Sequence, residues 1–543
     1  MSAPSSLDPL LTFLSYSLLK VQDIFFQLPG SAVIARYVRS SHQNDPGRTA
    51  LELILVVFAV RTLLQSRTRT DRSASNFVKL TEKEIDELVE EWVPEPFTAP
   101  LTPAEVHELA NLPVIQGASG PKPKLVNTGK TVLNLASYNF AGLAGNEQIK
   151  ERAIETLRKY GLGSCGPPGF YGTIDVHMDL ERDIAEFLGT ESCIIYSQGF
   201  STVASVIPAF CKRGDLIVAD RGVNFAIHKG IDISRSNVRW FDHNDLKSLE
   251  TVLESIEKER KKKGGKLTRR FIVTEGIFEN DGQMLDLPKL IELKQKYKYR
   301  LILDESFSFG TVGRTGRGLT ELYNVPATQI DMIVGSIANS LCSAGGFCAG
   351  SRVVVDHQRI NGSSFVFSAA MPALMAVSAS EGISLLTSQP SLLTTLHENI
   401  RAFRLILDAT ATVCPIQIPS HPASAIVHIQ YRPNAPATLQ VPTATSHKLS
   451  LSPSKQSNPS SLAPRDAQEF DIELEDKLLQ DVVDEALSQG VLITRAKRLR
   501  GQEPAEPRPS IRIAITAALT KKEIEKAGSV VRSALVKVLG KRR

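Results

Sequence analysis

The sequence predicts an α/β fold with two parts: a large domain built on a parallel-type sheet covered by helices, and a smaller α+β domain at its C-terminal side. Over residues 125–390, short strand-like runs such as ESCIIYSQGF, DLIVAD, RFIVTEG and LILDES alternate with helix-like stretches such as Leu180 to Leu188. This alternation is typical of parallel strands joined by helical crossovers. After Ala423 strand signals are interrupted by a long polar insert and then resume, which favours a separate domain over residues 391–543.

The bulk composition fits this architecture and excludes several classes of function. A chain of 543 residues can bury a sizeable core. Lys and Arg number 63 against 58 Asp and Glu, so the net charge of +5 is a weak basic excess, and no nucleic-acid motif accompanies it. The six cysteines show neither CxxC nor Cys/His metal spacing, which predicts reduced thiols. We therefore expect no nucleic-acid partner and no metal site.

The N-terminal part carries a membrane signal. Residues 1–48 predict an amphipathic helix on a membrane surface or on a partner, because apolar residues recur there at helical spacing: Leu10, Leu14, Leu18, Val21 and Phe25. The run TALELILVVFAVRTLL, within residues 49–66, predicts a transmembrane helix, although its ~24 Å length is slightly short for a ~30 Å hydrocarbon core. The basic RTRTDR that follows favours a cytosolic C-terminal side. A buried core helix is the alternative for this run.

Two further segments of the chain are polar. Residues 67–124 predict a linker with one charged helix, TEKEIDELVEEW, in which Thr81 and Glu84 have the spacing of a capping box. The second segment, at about residues 432–468, is rich in Ser, Pro and Thr, and its composition predicts a disordered insert in the smaller domain.

Two stretches of the large domain indicate a ligand site. The first, KYGLGSCGPPGFYGTIDVH, is dense in glycine, which permits close backbone approach to a cofactor or subunit; an ordinary tight loop is the alternative. The second, LILDESFSFGTVGRTGRG, places Asp304 at the end of a buried-type strand. An acid there can pair with a pyridinium nitrogen, and a helix cap or structural salt bridge is the alternative.

Longer motifs in the sequence then indicate a particular protein family. They span about Leu133 to Ala527 and occur in this order: SYNFAGLA, YGLGSCG with GFYG, VTEGIFENDGQ, LDESFSFGTVGRTGRG, SIANSLCSAGGF, FSAAMPA and SIRIAITAALTKKEI. Their order and spacing resemble the α-oxoamine synthases, enzymes that use pyridoxal phosphate to condense an amino acid with an acyl-CoA thioester. The resemblance implies the fold-type I pyridoxal-phosphate-dependent transferase fold.

Three positions depart from the pattern of active family members. Asn339 stands where the resemblance places the lysine that holds the cofactor and transfers protons, and an amide can do neither. Asn224 aligns with the histidine that stacks on the cofactor; a shift of one residue would put Phe225 there, and His228 is out of register. Phe307 replaces the histidine of the family's DEAHS motif. We therefore predict that this chain contributes no catalytic residue.

The combination resembles one group within the family, the lysine-less first subunits of eukaryotic serine palmitoyltransferase. No lysine occurs between Lys298 and Lys448 that could substitute, and the likeness extends to EEWVPEPF and to GGFCAG followed by DHQR. The resemblance implies a heterodimer whose lysine-bearing subunit binds pyridoxal phosphate and condenses L-serine with palmitoyl-CoA to 3-ketodihydrosphingosine. It also implies the endoplasmic reticulum membrane, a cytosolic catalytic-type domain, and small activating and membrane regulatory subunits.

Enzymes of this family build each active site from two chains, so the resemblance implies that this chain contributes residues to its partner's site. The candidates lie in the glycine-rich loop and in FSAAMP, where only one hydroxyl is present: Tyr160, Cys165, Gly166, His177 and Ser368. The resemblance implies that Asp304 pairs with the cofactor, but we prefer the interpretation that it is a vestigial structural acid. Arg512 aligns with a region near the substrate carboxylate, and domain packing is the alternative.

Two other functions stay open at this point. The chain could be an independent pyridoxal-phosphate enzyme that uses an unrecognised amine, which a substitute lysine near the site would favour. It could also be a purely regulatory or docking protein. In that case, replacement of Cys165 or Gly166 would leave the partner's turnover unchanged.

Overall fold

The computed structural model describes residues 20, 27, 29–64, 80–94, 101, 103–263, 268–432, 472–497 and 507–540. The chain divides into two compact units, Met1–Pro100 and Leu101–Arg543. The apolar residues that predict an amphipathic helix between positions 10 and 25, and nearly all of the predicted polar insert at 432–468, lie outside the described residues.

Helices make up the described part of the first unit: α1 (Ser31–Asn44), α2 (Pro46–Leu64) and α3 (Glu82–Glu91). The capping box of α3 is confirmed, because the Glu84 amide donates to the Thr81 hydroxyl and the Glu84 carboxylate accepts from the Thr81 amide.

Helix α2 covers most of the run that predicts a membrane span. Within the described residues, no helix combines the length and the apolar character that crossing a membrane requires. In α2, Arg48, Glu52 and Arg61 interrupt the apolar sequence. The transmembrane helix over residues 49–66 therefore stays a prediction.

The second unit covers the residues of both predicted domains, and their division into two stays a prediction. Its strands are β1 (Ile115–Gln116), β2 (Lys124–Leu125), β3 (Leu133–Asn134), β4 (Ser192–Tyr196), β5 (Leu216–Asp220), β6 (Asn237–Phe241), β7 (Arg270–Glu275), β8 (Arg300–Asp304), β9 (Met332–Ser336), β10 (Gly346–Gly350), β11 (Ile416–Gln417), β12 (Ile426–Tyr431), β13 (Val491–Leu492), β14 (Thr494–Arg495) and β15 (Ile511–Ala514). Its helices are α4 (Pro103–Ala110), α5 (Glu147–Tyr160), α6 (Asp175–Leu188), α7 (Gly199–Phe210), α8 (Phe225–Ser234), α9 (Leu246–Lys263), α10 (Leu287–Tyr297), α11 (Leu319–Leu322), α12 (Arg352–Asn361), α13 (Ser363–Phe367), α14 (Ala373–Ser388), α15 (Ser391–Ala411), α16 (Ile472–Ser488) and α17 (Lys521–Leu539). Helix α4 and the β1–β2 hairpin belong to this unit, which therefore begins before the position near Leu125 that the sequence indicates.

The large sheet has seven strands in the order β4-β10-β9-β8-β7-β5-β6. Strand β10 runs antiparallel to both of its neighbours, whereas the other neighbouring pairs are parallel. The predicted parallel-type sheet is confirmed, with one reversed strand. The reversal follows from the short connection between β9 and β10, which is too short for a helical crossover.

Alternate side chains of the central strands enter two separate cores. Val218, Ile272 and Leu303 pack in one core with helices such as α6, α10 and α14. Ile217 and Val273 pack in the other with helices such as α7 and α8. Since successive side chains of a strand point to opposite faces, helices must cover both faces of this sheet.

The smaller domain is built on an antiparallel sheet in the order β11-β12-β15-β14. Helix α17 begins at a second capping box, formed by Thr520 and Glu523, and packs against α15 and α16. Strand β13 pairs in parallel with β3, so the first strand after Leu125 joins an element of the C-terminal part. The predicted α+β character of this part is confirmed.

A charged histidine ties together loops at one end of the large sheet. His243 Nδ1 lies 2.8 Å from Asp220 Oδ1, and His243 Nε2 lies 2.9 Å from Asp281 Oδ2. Burial by itself would lower the pKa of His243, but the hydrogen bonds and charges of the two carboxylates outweigh burial and raise the pKa to about 10.

We expect His243→Gln to lower the free energy of unfolding at pH 6 by about 3 kcal/mol, because two largely buried carboxylates lose their cation. The folded pKa lies above the ordinary value of 6.5, so the stabilisation is complete below pH 6.5 and is lost as pH rises towards 10. Thermal unfolding at pH 6 and pH 9.5 checks this, with His42→Gln as the exposed control. An equal loss at both pH values would contradict the assignment.

Candidate functional site

Acidic side chains meet at the carboxyl edge of the large sheet, where β7 and β8 end. Asp304 is buried, its Oδ1 accepts from the Ser306 amide at 2.8 Å, and its Oδ2 accepts from Asn224 Nδ2 at 3.2 Å. Burial raises the pKa of Asp304, and the donors from Ser306 and Asn224 partly offset it. Both carboxylate oxygens of Asp304 therefore have donors within this chain.

Asn224 is fixed in place by three hydrogen bonds. Its side-chain oxygen accepts from the Ile227 amide at 3.0 Å and so caps helix α8. The backbone amide of Asn224 donates to Glu275 Oε1 at 2.6 Å. The third bond is the one to Asp304. Glu275 is buried as well, and burial followed by the charge of Asp304 raises its pKa well above the ordinary range. Asn224 thus bonds to both buried acids, Glu275 and Asp304, and this network supports the interpretation of Asp304 as a structural residue.

The neighbours of Asn224 do not supply the missing histidine. The ring of Phe225 lies 6.0 Å from that of Phe200, and Lys229 Nζ lies 4.9 Å from the Phe225 ring centre. His228 is buried and its ring is 4.9 Å from that of Trp240. Both alignments that the sequence leaves open therefore place a non-histidine residue at this position.

Asn339 lies in the turn after β9, where the resemblance places a lysine. Its Nδ2 donates to the Ser306 carbonyl at 2.9 Å. This bond links the turn to the loop after β8, at the same residue whose backbone amide donates to Asp304. The side chain thus has a structural partner and offers no amine.

Phe307 fills the third altered position with an aromatic stack. It is buried, and its ring meets the Tyr138 ring edge-on with 5.1 Å between centroids. The Arg512 guanidinium lies 4.5 Å from the Tyr138 ring centre, while Arg512 Nε has no hydrogen-bond partner among the described residues. These contacts favour the domain-packing interpretation of Arg512.

Taken together, these residues do not fit a pyridoxal phosphate held by this chain. There is no amine at Asn339 and no histidine at the stacking position. Asp304, the acid that would pair with the pyridine nitrogen, already accepts from Ser306 and Asn224. Among the described residues, no group of His, Cys, Asp and Glu side chains is arranged to hold a metal ion.

The glycine-rich loop and the segment that contains Ser368 are joined by hydrogen bonds. The Gly166 carbonyl accepts from the Ala370 amide at 2.9 Å, and the Ser164 hydroxyl donates to the Ala370 carbonyl at 2.8 Å. His177 is buried, and its Nε2 bonds to the Met371 carbonyl at 2.5 Å. The two sequence-predicted segments are thus brought together, and burial is the main cause that lowers the pKa of His177.

The remaining candidates have different surroundings. Tyr160 Oη donates to Asp175 Oδ2 at 2.9 Å, which fixes the loop's first residue to helix α6. Cys165 is exposed and has a φ of 56°, a left-handed conformation that non-glycine residues adopt at some cost. Ser368 is half-buried at the end of α13.

Close packing of glycines shapes the loop. A Cβ added at Gly172 would lie 1.9 Å from the Gly166 carbonyl oxygen, and one added at Gly166 would lie 2.9 Å from the Phe170 carbonyl oxygen. At Gly169 a Cβ would meet nothing within 4 Å. The conformation of this loop therefore requires glycine at some positions and tolerates a side chain at others.

Large apolar side chains project into solvent from the same two segments. We call Leu162, Phe170, Tyr171 and Phe367 the apolar rim. Tyr171 is 101% exposed with a φ of 67°, Phe367 is 82% exposed and Phe170 is 63% exposed. Clustered exposed aromatic residues are typical of protein–protein contact surfaces. Sequence reasoning missed these residues, although the aromatic pair within a Gly/Pro-rich loop was a readable signal.

Comparisons with known proteins agree with the fold. The family Aminotransferase class I and II matches residues 130–531. Serine palmitoyltransferase 1 of Dictyostelium discoideum is 39% identical over 83% of this chain and 87% of its own length. Serine palmitoyltransferase 1 of Saccharomyces cerevisiae is 36% identical over 94% of this chain and 93% of its own.

A solved structure supports the same fold. It is a serine palmitoyltransferase with a pyridoxal phosphate internal aldimine, which aligns with a TM-score of 0.65 at 20% identity, covering 85% of this chain and 99% of that one. The matched family region, the two full-length relatives and the shared fold lead to one assignment: the chain belongs to the aminotransferase class I and II family and, within it, to the serine palmitoyltransferase 1 family.

Proposed function

We propose that this chain is the non-catalytic subunit of a heterodimeric serine palmitoyltransferase. In this proposal its lysine-bearing partner binds pyridoxal phosphate and condenses L-serine with palmitoyl-CoA to 3-ketodihydrosphingosine for sphingolipid biosynthesis. The observation that carries the proposal is that Asn224 and Asn339 occupy, with internal hydrogen bonds, the positions where a catalytic chain would hold its cofactor.

The second support for the proposal is the glycine-rich loop. It is held to the Ala370 segment by one main-chain hydrogen bond and by the Ser164 hydroxyl, so it keeps a defined shape, while the apolar rim remains exposed. We infer that the rim contacts the partner and that the backbone around Cys165 and Gly166 lines the partner's site. There the loop would orient substrate and exclude water, which are contributions that need no catalytic side chain.

The same proposal includes membrane attachment at the endoplasmic reticulum, with the second unit on the cytosolic side. Two features of α2 support it. Apolar side chains such as Phe58 are exposed. Arg48 Nε pairs with Glu52 Oε1 at 3.0 Å, which lowers the cost of bringing these two charged side chains near the membrane–water interface. Small activating and membrane regulatory subunits would bind at this part of the complex. Recovery of the chain in the soluble fraction after alkaline carbonate extraction would contradict the attachment.

Release of CO₂ from labelled serine tests the proposed function. We expect no release by the purified chain alone and release by the co-purified pair, because the chain supplies neither amine nor base at Asn339. Turnover by the chain alone would instead identify an independent enzyme. A pair whose activity ignores every change in the Tyr160–His177 loop would identify a docking protein.

A further inference from the structure

A cavity of about 800 Å³ lies between the loop after β8 and the face of helix α15. Its volume is in the range of small-molecule sites. Apolar side chains form most of its wall, among them Val312, Leu322 and Ile400, and Ala423 lies at its exposed side. None of the residues that hold Asp304, Asn224 and Asn339 lines this cavity, so it is separate from the site described above.

The carboxylate that lines the cavity already has hydrogen-bond donors within the chain. Glu321 is the carboxylate of the lining, and it accepts from the Thr315 amide and hydroxyl and from the Arg317 amide. His397 also has a partner, because its Nε2 lies 2.9 Å from the Thr311 carbonyl oxygen. These groups have little capacity left for a ligand.

Two positively charged side chains also line the cavity. Arg314 and Arg401 belong to the lining and are exposed, and neither forms an ion pair with any residue that the structure describes. They come from opposite sides, Arg314 from the loop after β8 and Arg401 from α15. The mouth of the cavity is therefore cationic.

A third arginine lies one turn further along α15. Arg404 is 8% exposed, and its Nε and Nη1 have no hydrogen-bond partner among the described residues, although its Nη2 lies 3.1 Å from Asp408 Oδ1. Desolvation and then the positive charge of Arg404 lower the pKa of His421, a lining residue. An incompletely paired buried guanidinium is costly, and an anion nearby would reduce that cost.

We propose that this cavity binds an anionic amphiphile with a single hydrocarbon chain and a carboxylate or phosphate head. The apolar wall suits the chain, and Arg314 and Arg401 suit the head because guanidinium groups bind both kinds of oxyanion. The described lining contains no Phe, Tyr or Trp on which a nucleotide base could stack, which disfavours a nucleotide. This ligand site is independent of the proposed catalytic partnership.

Fluorescence titration with cis-parinarate, a carboxylate probe that emits in apolar surroundings, tests the proposal. The full chain with its lysine-bearing partner, held in amphipol so that no free detergent competes, should bind the probe saturably. The double variant Arg314→Glu, Arg401→Glu should weaken binding at least ~10-fold, because two attractive charges become repulsive. Ala423→Trp, at an exposed lining position, should weaken binding by occupying part of the cavity.

Matched variants separate the site from general surface effects. Arg532→Glu, on exposed α17 surface, and Ala423→Ser should leave the affinity unchanged. Competition with a fatty acid, a single-chain lysophosphatidate and the corresponding fatty alcohol compares the heads, and the alcohol should compete at least ~10-fold more weakly than either anion. Equal competition by the alcohol, or unchanged binding in the Arg314/Arg401 variant, would overturn the proposal.

Discussion

Gly172→Ala in this chain is expected to lower the turnover of the heterodimer by roughly 100-fold or more while the two chains still co-purify. The added Cβ would lie 1.9 Å from the Gly166 carbonyl oxygen, so the backbone on both sides must move. That carbonyl also accepts from the Ala370 amide, and the displacement therefore reaches the second loop segment. A shift of about 1 Å in a positioning element can cost about 100-fold in rate.

The matched control for this prediction is Gly169→Ala. It makes the same chemical change three residues away, at a position where a Cβ meets nothing within 4 Å, and it should leave turnover within about twofold of the wild type. The measurement is kcat for CO₂ release at saturating serine and acyl-CoA. Normal turnover in a stably folded Gly172→Ala complex would show that the loop does not shape the partner's site.

The second large effect concerns assembly. Phe170→Asp combined with Tyr171→Asp should weaken binding of the lysine-bearing partner by about 100-fold, because the loss of about 1.4 kcal/mol for each of two aromatic contacts is tenfold each. Both side chains are exposed in this chain, so the change costs little stability before assembly.

Leu405→Asp is the control for the assembly prediction. Leu405 lies on α15 and is 76% exposed, and it belongs to neither loop segment. Affinity can be measured by titrating labelled partner into each variant and following anisotropy. If the Leu405 variant weakened binding as much as the double aspartate variant, the apolar rim would not be the contact surface.

The family resemblance gave the positions of Asn339 and Phe307, and residue chemistry then sufficed to predict that this chain holds no cofactor of its own. An asparagine cannot replace a lysine amine, and a phenylalanine cannot replace a histidine, whatever the surroundings of Asn339 and Phe307. The alternation of strands and helices likewise sufficed for the layers of the large domain. These predictions depend on residue type or on local periodicity, both of which can be read along the chain.

The features that the sequence did not predict depend on contacts between residues that are far apart in sequence. Asn224 meets Asp304 across 80 residues, and this pairing is what turns the retained acid into a structural group. The clamp of His243 between Asp220 and Asp281 also forms only once β5 and β7 lie side by side. The reversed β10 and the exposure of the apolar rim are tertiary outcomes of the same kind.

The central claim is that this chain carries no pyridoxal phosphate of its own, and the stoichiometry of the borohydride-reduced heterodimer tests it most directly. The co-purified pair is reduced, digested and mapped by mass spectrometry for the phosphopyridoxyl group. We predict one group per pair, all of it on the partner's lysine, because Asn339 has no amine and Asp304 already holds two donors. A reduced phosphopyridoxyl-lysine in this chain, at a stoichiometry close to one, would contradict the account.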